Sequence, residues 1–178
     1  MFVKIEEVYK TVDGRNLKIY IFNPKKSKQN GAAIVFFHGG GWFEGMPDLC
    51  FDHAEYFTEA GFTCFSVEYR LAKPNIETPI VCMEDAGSAV KWIALNAEKF
   101  HIDIDKEKFF YSGFSAGGHL ASLLGIVEPY NTVIPRGFVL WYPCVDTARD
   151  DWFRRLDSFC RVNMIPLMIL RIIKLDMA

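Results

Sequence analysis

The chain has 178 residues, 51% of them hydrophobic, with 20 basic and 22 acidic side chains and a net charge of −2. That supplies the core of a single domain over residues 1–178, and so even a balance argues against a nucleic-acid partner. Five scattered cysteines (50, 64, 82, 144 and 160) form no C-x-x-C pair and no metal-ligand spacing, which predicts a reducing, cytoplasmic setting and neither metal nor cofactor.

The opening MFVKIEEVYK mixes charges among apolar residues and has no signal-peptide core. Residues 3–12 and 17–22 flank Asp13-Gly14-Arg15-Asn16, the composition of a hairpin with a turn between two strands. Lys25, Lys26 and Lys28 follow Pro24 and precede Gly31, which reads as a solvated loop. Residues 32–37 (AAIVFF) form a continuous apolar run of the kind buried on both faces of a parallel sheet. A helix is predicted over 50–60, ended by Gly61, and a strand over 62–69.

After Pro74 and Pro79, residues 81–97 place Ala86, Ala89, Val90, Ile93 and Ala97 at helical spacing. A strand is predicted at 109–112, a small-residue helix at 116–125 and a strand at 137–143. Residues 150–162 are amphipathic and read as a helix, and 166–172 (PLMILRI) as the last strand. The apolar run 165–173 is far shorter than the roughly 20 residues that span a bilayer, and Arg171 interrupts it, so no membrane segment is predicted. Strands alternating with helices give an α/β fold, a three-layer α/β/α sandwich with a mostly parallel sheet and an antiparallel N-terminal hairpin.

Three adjacent glycines in FFHGGGWFEG (36–45) raise the question of what the backbone approaches there. Gly39, Gly41 and Gly45 after a strand, with Glu68 ending the next one, partly fit a dinucleotide site, and Tyr69 and Lys73 have dehydrogenase spacing. That pair needs a helix, yet Lys73 precedes Pro74 and is disfavoured there. A phosphate loop should also run straight into a helix, and Met46-Pro47-Asp48 delays one.

The second motif decides more. Gly113, Ser115 and Gly117 form G-x-S-x-G between a predicted strand and a predicted helix, the setting of a nucleophile elbow. The flanking glycines relieve crowding where the chain reverses, and Gly118 is expected to let the helix sit close to the sheet. A serine hydroxyl needs a general base, and its tetrahedral intermediate needs backbone donors. The N–H of Ala116 supplies one donor and the glycine loop supplies others.

His38-Gly39-Gly40-Gly41-Trp42, Tyr69-Arg70-Leu71 and Gly113-Phe114-Ser115-Ala116-Gly117-Gly118 resemble the α/β-hydrolase fold. The likeness is to the HGGG esterases of the hormone-sensitive-lipase and carboxylesterase group, over nearly the whole chain. It implies Gly40 and Gly41 as oxyanion donors with Ala116, Ser115 as nucleophile, and His38 as a structural residue. It implies a small-molecule ester substrate and no cofactor. The family's acid follows a Pro-initiated strand, which points to Asp176, although Ile173 and Lys174 stand where a small residue and Gly are expected; Asp146 is the other candidate.

The order in this fold is Ser, acid, His, and no histidine follows His119. His119 lies one helical turn past Ser115, while His53 and His101 have no elbow logic. The resemblance therefore implies a chain truncated before its last strand, helix and base, with a non-catalytic relative or completion by another chain as the other accounts. An unpaired sheet edge would then favour self-association. A catalytically silent small-molecule binding protein is the alternative function.

Overall fold

The computed structural model describes residues 2–73, 78–104 and 108–144. Strands β1 (Phe2–Val12) and β2 (Arg15–Pro24) form the expected antiparallel hairpin. Its turn is tighter than the four residues read from composition. Only Asp13 and Gly14 lie between the strands, at φ 49° and 77°, because a two-residue loop that follows the strand twist needs positive φ at both positions.

Four buried strands follow: β3 (Ala33–Phe37), β4 (Thr63–Val67), β5 (Phe109–Phe114) and β6 (Gly137–Trp141). β3 pairs in parallel with both β4 and β5, and β5 in parallel with β6, giving the sheet order β1-β2-β4-β3-β5-β6. Helices α1 (Phe51–Glu59), α2 (Ile80–Leu95) and α3 (Ala116–Ile126) make the connections, α1 after a 3-10 turn at Pro47–Cys50.

From β3 the chain moves one way to β4, then crosses back over β3 to β5. Keeping one crossover hand through that reversal requires α1 on the opposite face from α2 and α3. The packing agrees. Cys50 and Ala54 cover Phe22, Ile34, Phe36 and Cys64 on one face. Ala86, Ala89, Val90 and Ile93 of α2, with Leu120, Ala121 and Leu124 of α3, cover Val35, Phe37, Phe65 and Tyr111 on the other. Each of the buried Val, Ile, Leu and Phe side chains among them contributes about 1.5–3 kcal/mol of transfer free energy, so the three layers hold the sheet rigidly beneath its loops.

The reversal also creates a crevice at the carboxyl ends of β3 and β5, where open α/β sheets place their ligands. Phe37 pairs with Gly113, so the loops that leave these strands, at His38 and at Ser115, start level with each other. Two motifs more than seventy residues apart in sequence thus become neighbours.

Two strands stop short of their expected ends. β4 ends at Val67, before Tyr69 turns away to bond the glycine loop, and β6 ends at Trp141, where Tyr142 takes φ 39°. Among the described residues β6 pairs on one side only. The elements expected over 150–162 and 166–172, and both candidate acids, Asp146 and Asp176, lie outside the described residues.

Candidate active site

Ser115 sits between β5 and α3 at φ 49° and ψ −115°, a strained conformation for a side-chain-bearing residue, worth about 1–3 kcal/mol. The surroundings hold it there. Its N–H donates to the Trp141 carbonyl at 3.0 Å, and its carbonyl accepts from Cys144 N at 3.3 Å and from His119 N at 3.1 Å. The flanking glycines give room for this reversal. A Cβ on Gly113 would lie 2.3 Å from the Gly117 backbone, and one on Gly117 would lie 2.0 Å from the Phe37 carbonyl oxygen.

Gly117 lets α3 approach β3, and Gly118 lets it approach β5, as expected, and also the segment after β6: a Cβ on Gly118 would lie 3.1 Å from the Gly113 carbonyl oxygen and 2.9 Å from Pro143.

The glycine loop folds back on itself beside the elbow. The Gly40 carbonyl accepts from the N–H groups of Phe43 at 3.1 Å and Glu44 at 3.0 Å. Gly40, Gly41 and Trp42 all have positive φ, at 122°, 58° and 70°. Among the described residues, the N–H groups of Gly40 and Gly41 donate to no backbone carbonyl. Backbone donors left unspent in a tight loop beside a nucleophile are what an oxyanion hole requires.

Gly40 and Gly41 differ in what an added methyl would meet. At Gly40 it would lie 2.0 Å from the Glu44 carbonyl oxygen, whereas at Gly41 nothing lies within 4 Å. Gly40→Ala should therefore lose about 2–3 kcal/mol through overpacking, and Gly41→Ala about 1 kcal/mol through strain at positive φ alone. Urea unfolding of the two variants checks the ranking.

His38 is structural, as the family likeness implies. Its Nδ1 donates to the Gly39 carbonyl at 2.7 Å, its ring stacks on Tyr69 at 4.2 Å, and its carbonyl accepts from the Tyr69 hydroxyl at 2.6 Å. The dinucleotide reading finds no support here. Residues 69–73 are not helical, and Glu68 accepts from the Lys18 backbone and from Arg15, tying the hairpin to the sheet.

No histidine is bonded to the nucleophile. Among the described residues, the side-chain partner of Ser115 Oγ is Cys144 Sγ, at 3.6 Å. Burial pushes the Cys144 thiol above its ordinary pKa, so it is protonated at neutral pH and is no base. The His119 ring meets the edge of Trp42 at 5.3 Å, and His53 meets Phe114 at 4.7 Å and Trp141 at 5.4 Å. Burial lowers the pKa of His38, His53 and His119, which keeps all three imidazoles neutral.

Sequence reasoning missed one ion cluster beside the loop. Asp85 of α2, fully buried, accepts from Arg70 Nε at 2.8 Å, from the second Arg70 guanidinium nitrogen at 3.0 Å, from Arg70 N at 2.9 Å and from Lys10 Nζ at 2.6 Å. Its signal was present in the sequence: an acid on the apolar face of α2, among Cys82, Ala86 and Ala89, has to find a cation. No group of three or more metal-ligating side chains occurs among the described residues, and no described helix is long and apolar enough to cross a membrane.

Comparison with known proteins places this arrangement among esterases. The BD-FAE family profile matches residues 18–139. An ethyl acetate hydrolase of Pseudomonas putida is 32% identical over 146 residues, covering 78% of this chain and 44% of that protein. Carboxylesterase NlhH of Mycobacterium tuberculosis is 29% identical over 144 residues, covering 79% and 44%. Esterase 2 of Thermogutta terrifontis, solved after phosphorylation by paraoxon, superposes with a TM-score of 0.70 at 32% identity, over 83% of this chain and 60% of that one. Its butyrate-bound form gives 0.69 at 32% identity, over 87% and 62%. The chain thus spans less than half the length of the curated relatives named here.

Proposed function

The chain belongs to the BD-FAE family, an α/β-hydrolase-like group, and from that premise we propose that it is a serine-dependent hydrolase of small or medium acyl esters. The observation that carries this reading is the strained Ser115 beside a glycine loop whose N–H groups are unspent. Ser115 Oγ attacks the ester carbonyl as its proton passes to a base or to water, the bond to the alkoxy oxygen breaks and that oxygen leaves protonated as the alcohol, and the acyl group is held on Ser115 until water releases it as the acid and returns the proton to Oγ. The N–H groups of Gly40, Gly41 and Ala116 stabilise the oxyanion, and each such donor is worth on the order of 3 kcal/mol. Asp176 is proposed as the acid of the site; no described histidine stands in the place of the base it would orient.

The substrate class draws support from the ethyl acetate hydrolase and from the butyrate-bound esterase among the relatives. The four free cysteines among the described residues fit a reducing, cytoplasmic compartment. One observation favours a second reading, a silent small-ligand binder: among the described residues no imidazole bonds Ser115.

A single experiment separates the two. The esterase reading expects a burst of p-nitrophenolate from p-nitrophenyl acetate and a fluorophosphonate adduct on Ser115, both lost in Ser115→Ala. If neither burst nor adduct forms, the silent binder stands.

A further inference from the structure

We propose that Asp85 is a positioning residue for the oxyanion loop, acting through Arg70 and the segment 69–72. Its consequence for catalysis rests on the esterase reading above. The segment reaches both ends of the glycine loop. At one end the Tyr69 hydroxyl donates to the His38 carbonyl at 2.6 Å; at the other, Ala72 N donates to the Trp42 carbonyl at 2.8 Å. Between these two bonds lies Arg70, whose backbone N–H and guanidinium fork donate to the Asp85 carboxylate, with a longer contact from the fork to the exposed Glu84 carboxylate at 3.3 Å.

Trp42 and His38 pack by their rings at the ends of the loop, but its central glycines have no such hold. Gly40 and Gly41 carry no side chains to pack, and both sit at positive φ, where glycine is conformationally free. Besides its internal turn at Gly40, the loop's main-chain anchors from elsewhere among the described residues include the Tyr69 and Ala72 bonds and a contact from Cys82 Sγ to the Trp42 carbonyl at 3.8 Å. Cys82 lies on α2 three residues before Asp85, so one helix holds the loop directly and through the strap. α2 in turn packs in the same buried cluster as β3 and β5, so the clamp refers the loop to the rigid sheet that also carries Ser115.

A bidentate carboxylate–guanidinium pair suits this role because its planar fork fixes direction as well as distance. Loosening it would leave Ser115 and the elbow in place while the oxyanion donors drift. A displacement of about 1 Å in such donors costs up to about a hundredfold in rate.

The test uses the 178-residue chain labelled with 15N. Asp85→Asn is expected to move the Gly40 and Gly41 amide resonances by more than those of Gly14 and Gly31, and to slow fluorophosphonate labelling of Ser115 by up to about a hundredfold. Phe100→Leu, in the ring cluster of Phe65 and Trp92, serves as a destabilised control and should leave those two amides unmoved. Arg70→Lys, which keeps the charge but loses the fork, gives the same readout if Asp85→Asn does not fold. The proposal is overturned if a folded clamp variant leaves Gly40 and Gly41 unmoved, or if Phe100→Leu moves them equally. Absence of labelling in the unsubstituted chain would count against the esterase reading alone, because the amide shifts do not depend on it.

Discussion

Exogenous imidazole should accelerate acylation of Ser115 by p-nitrophenyl acetate about ten- to a hundredfold above the rate without it, and Ser115→Ala should stay at the rate of imidazole in free solution. A positioned general base contributes roughly 10²–10⁴ in rate, and a diffusing base recovers only part of that because it lacks the preorganised geometry. The site is arranged to accept such help. Ser115 is half-buried rather than sealed, the side-chain hydrogen-bond partner of its Oγ among the described residues is the Cys144 thiol, and the Gly40 and Gly41 N–H groups donate to no backbone carbonyl there. Removal of any triad member leaves a residual rate enhancement of about 10³–10⁴ over water from the oxyanion hole and binding. The measurement is the burst rate against imidazole concentration, with Ser115→Ala subtracted. Equal slopes for both proteins would show that Ser115 is not the acylated group.

The sequence was most informative where one residue type answers one geometric need. Gly113 and Gly117 announced the elbow because nothing larger fits between β5, α3 and the end of β3. The alternation of apolar runs with helical spacing gave the parallel sheet, and the Asp13-Gly14 pair gave the hairpin. What sequence could not assign was the division of labour between adjacent glycines. Gly117 answers to the Phe37 carbonyl of β3, while Gly118 answers to the Gly113 carbonyl of β5 and also to Pro143, a residue 25 positions away whose approach depends on where β6 ends. Asp85 was overlooked for a related reason. Its periodicity is that of a core position, and only the meeting of β1, α2 and the strap, through Lys10 and Arg70, makes a carboxylate acceptable there.

Replacing Asp85 by Ala should cost about 3 kcal/mol of stability, the low end for removing one partner of a buried ion pair, because the Arg70 fork would lose its main acceptor but stay partly exposed and within reach of Glu84. The same carboxylate should make the fold acid-sensitive. Burial alone would raise the Asp85 pKa, but the hydrogen bonds from Arg70 and Lys10 outweigh it and hold the group below the ordinary aspartate value. At acid pH the unfolded chain therefore binds this proton more readily than the folded one, and stability rises with pH. The contribution is complete above the ordinary aspartate pKa, near 4, and is lost as pH falls through the lower folded value. Urea unfolding of the parent and Asp85→Asn between neutral pH and pH 3 checks the sign. The stability gap between them should be widest at neutral pH and close on acidification. A gap that stays constant across that range would mean that Asp85 is not ionised in the folded protein, and the clamp on the oxyanion loop would then rest on neutral hydrogen bonds rather than on an ion pair.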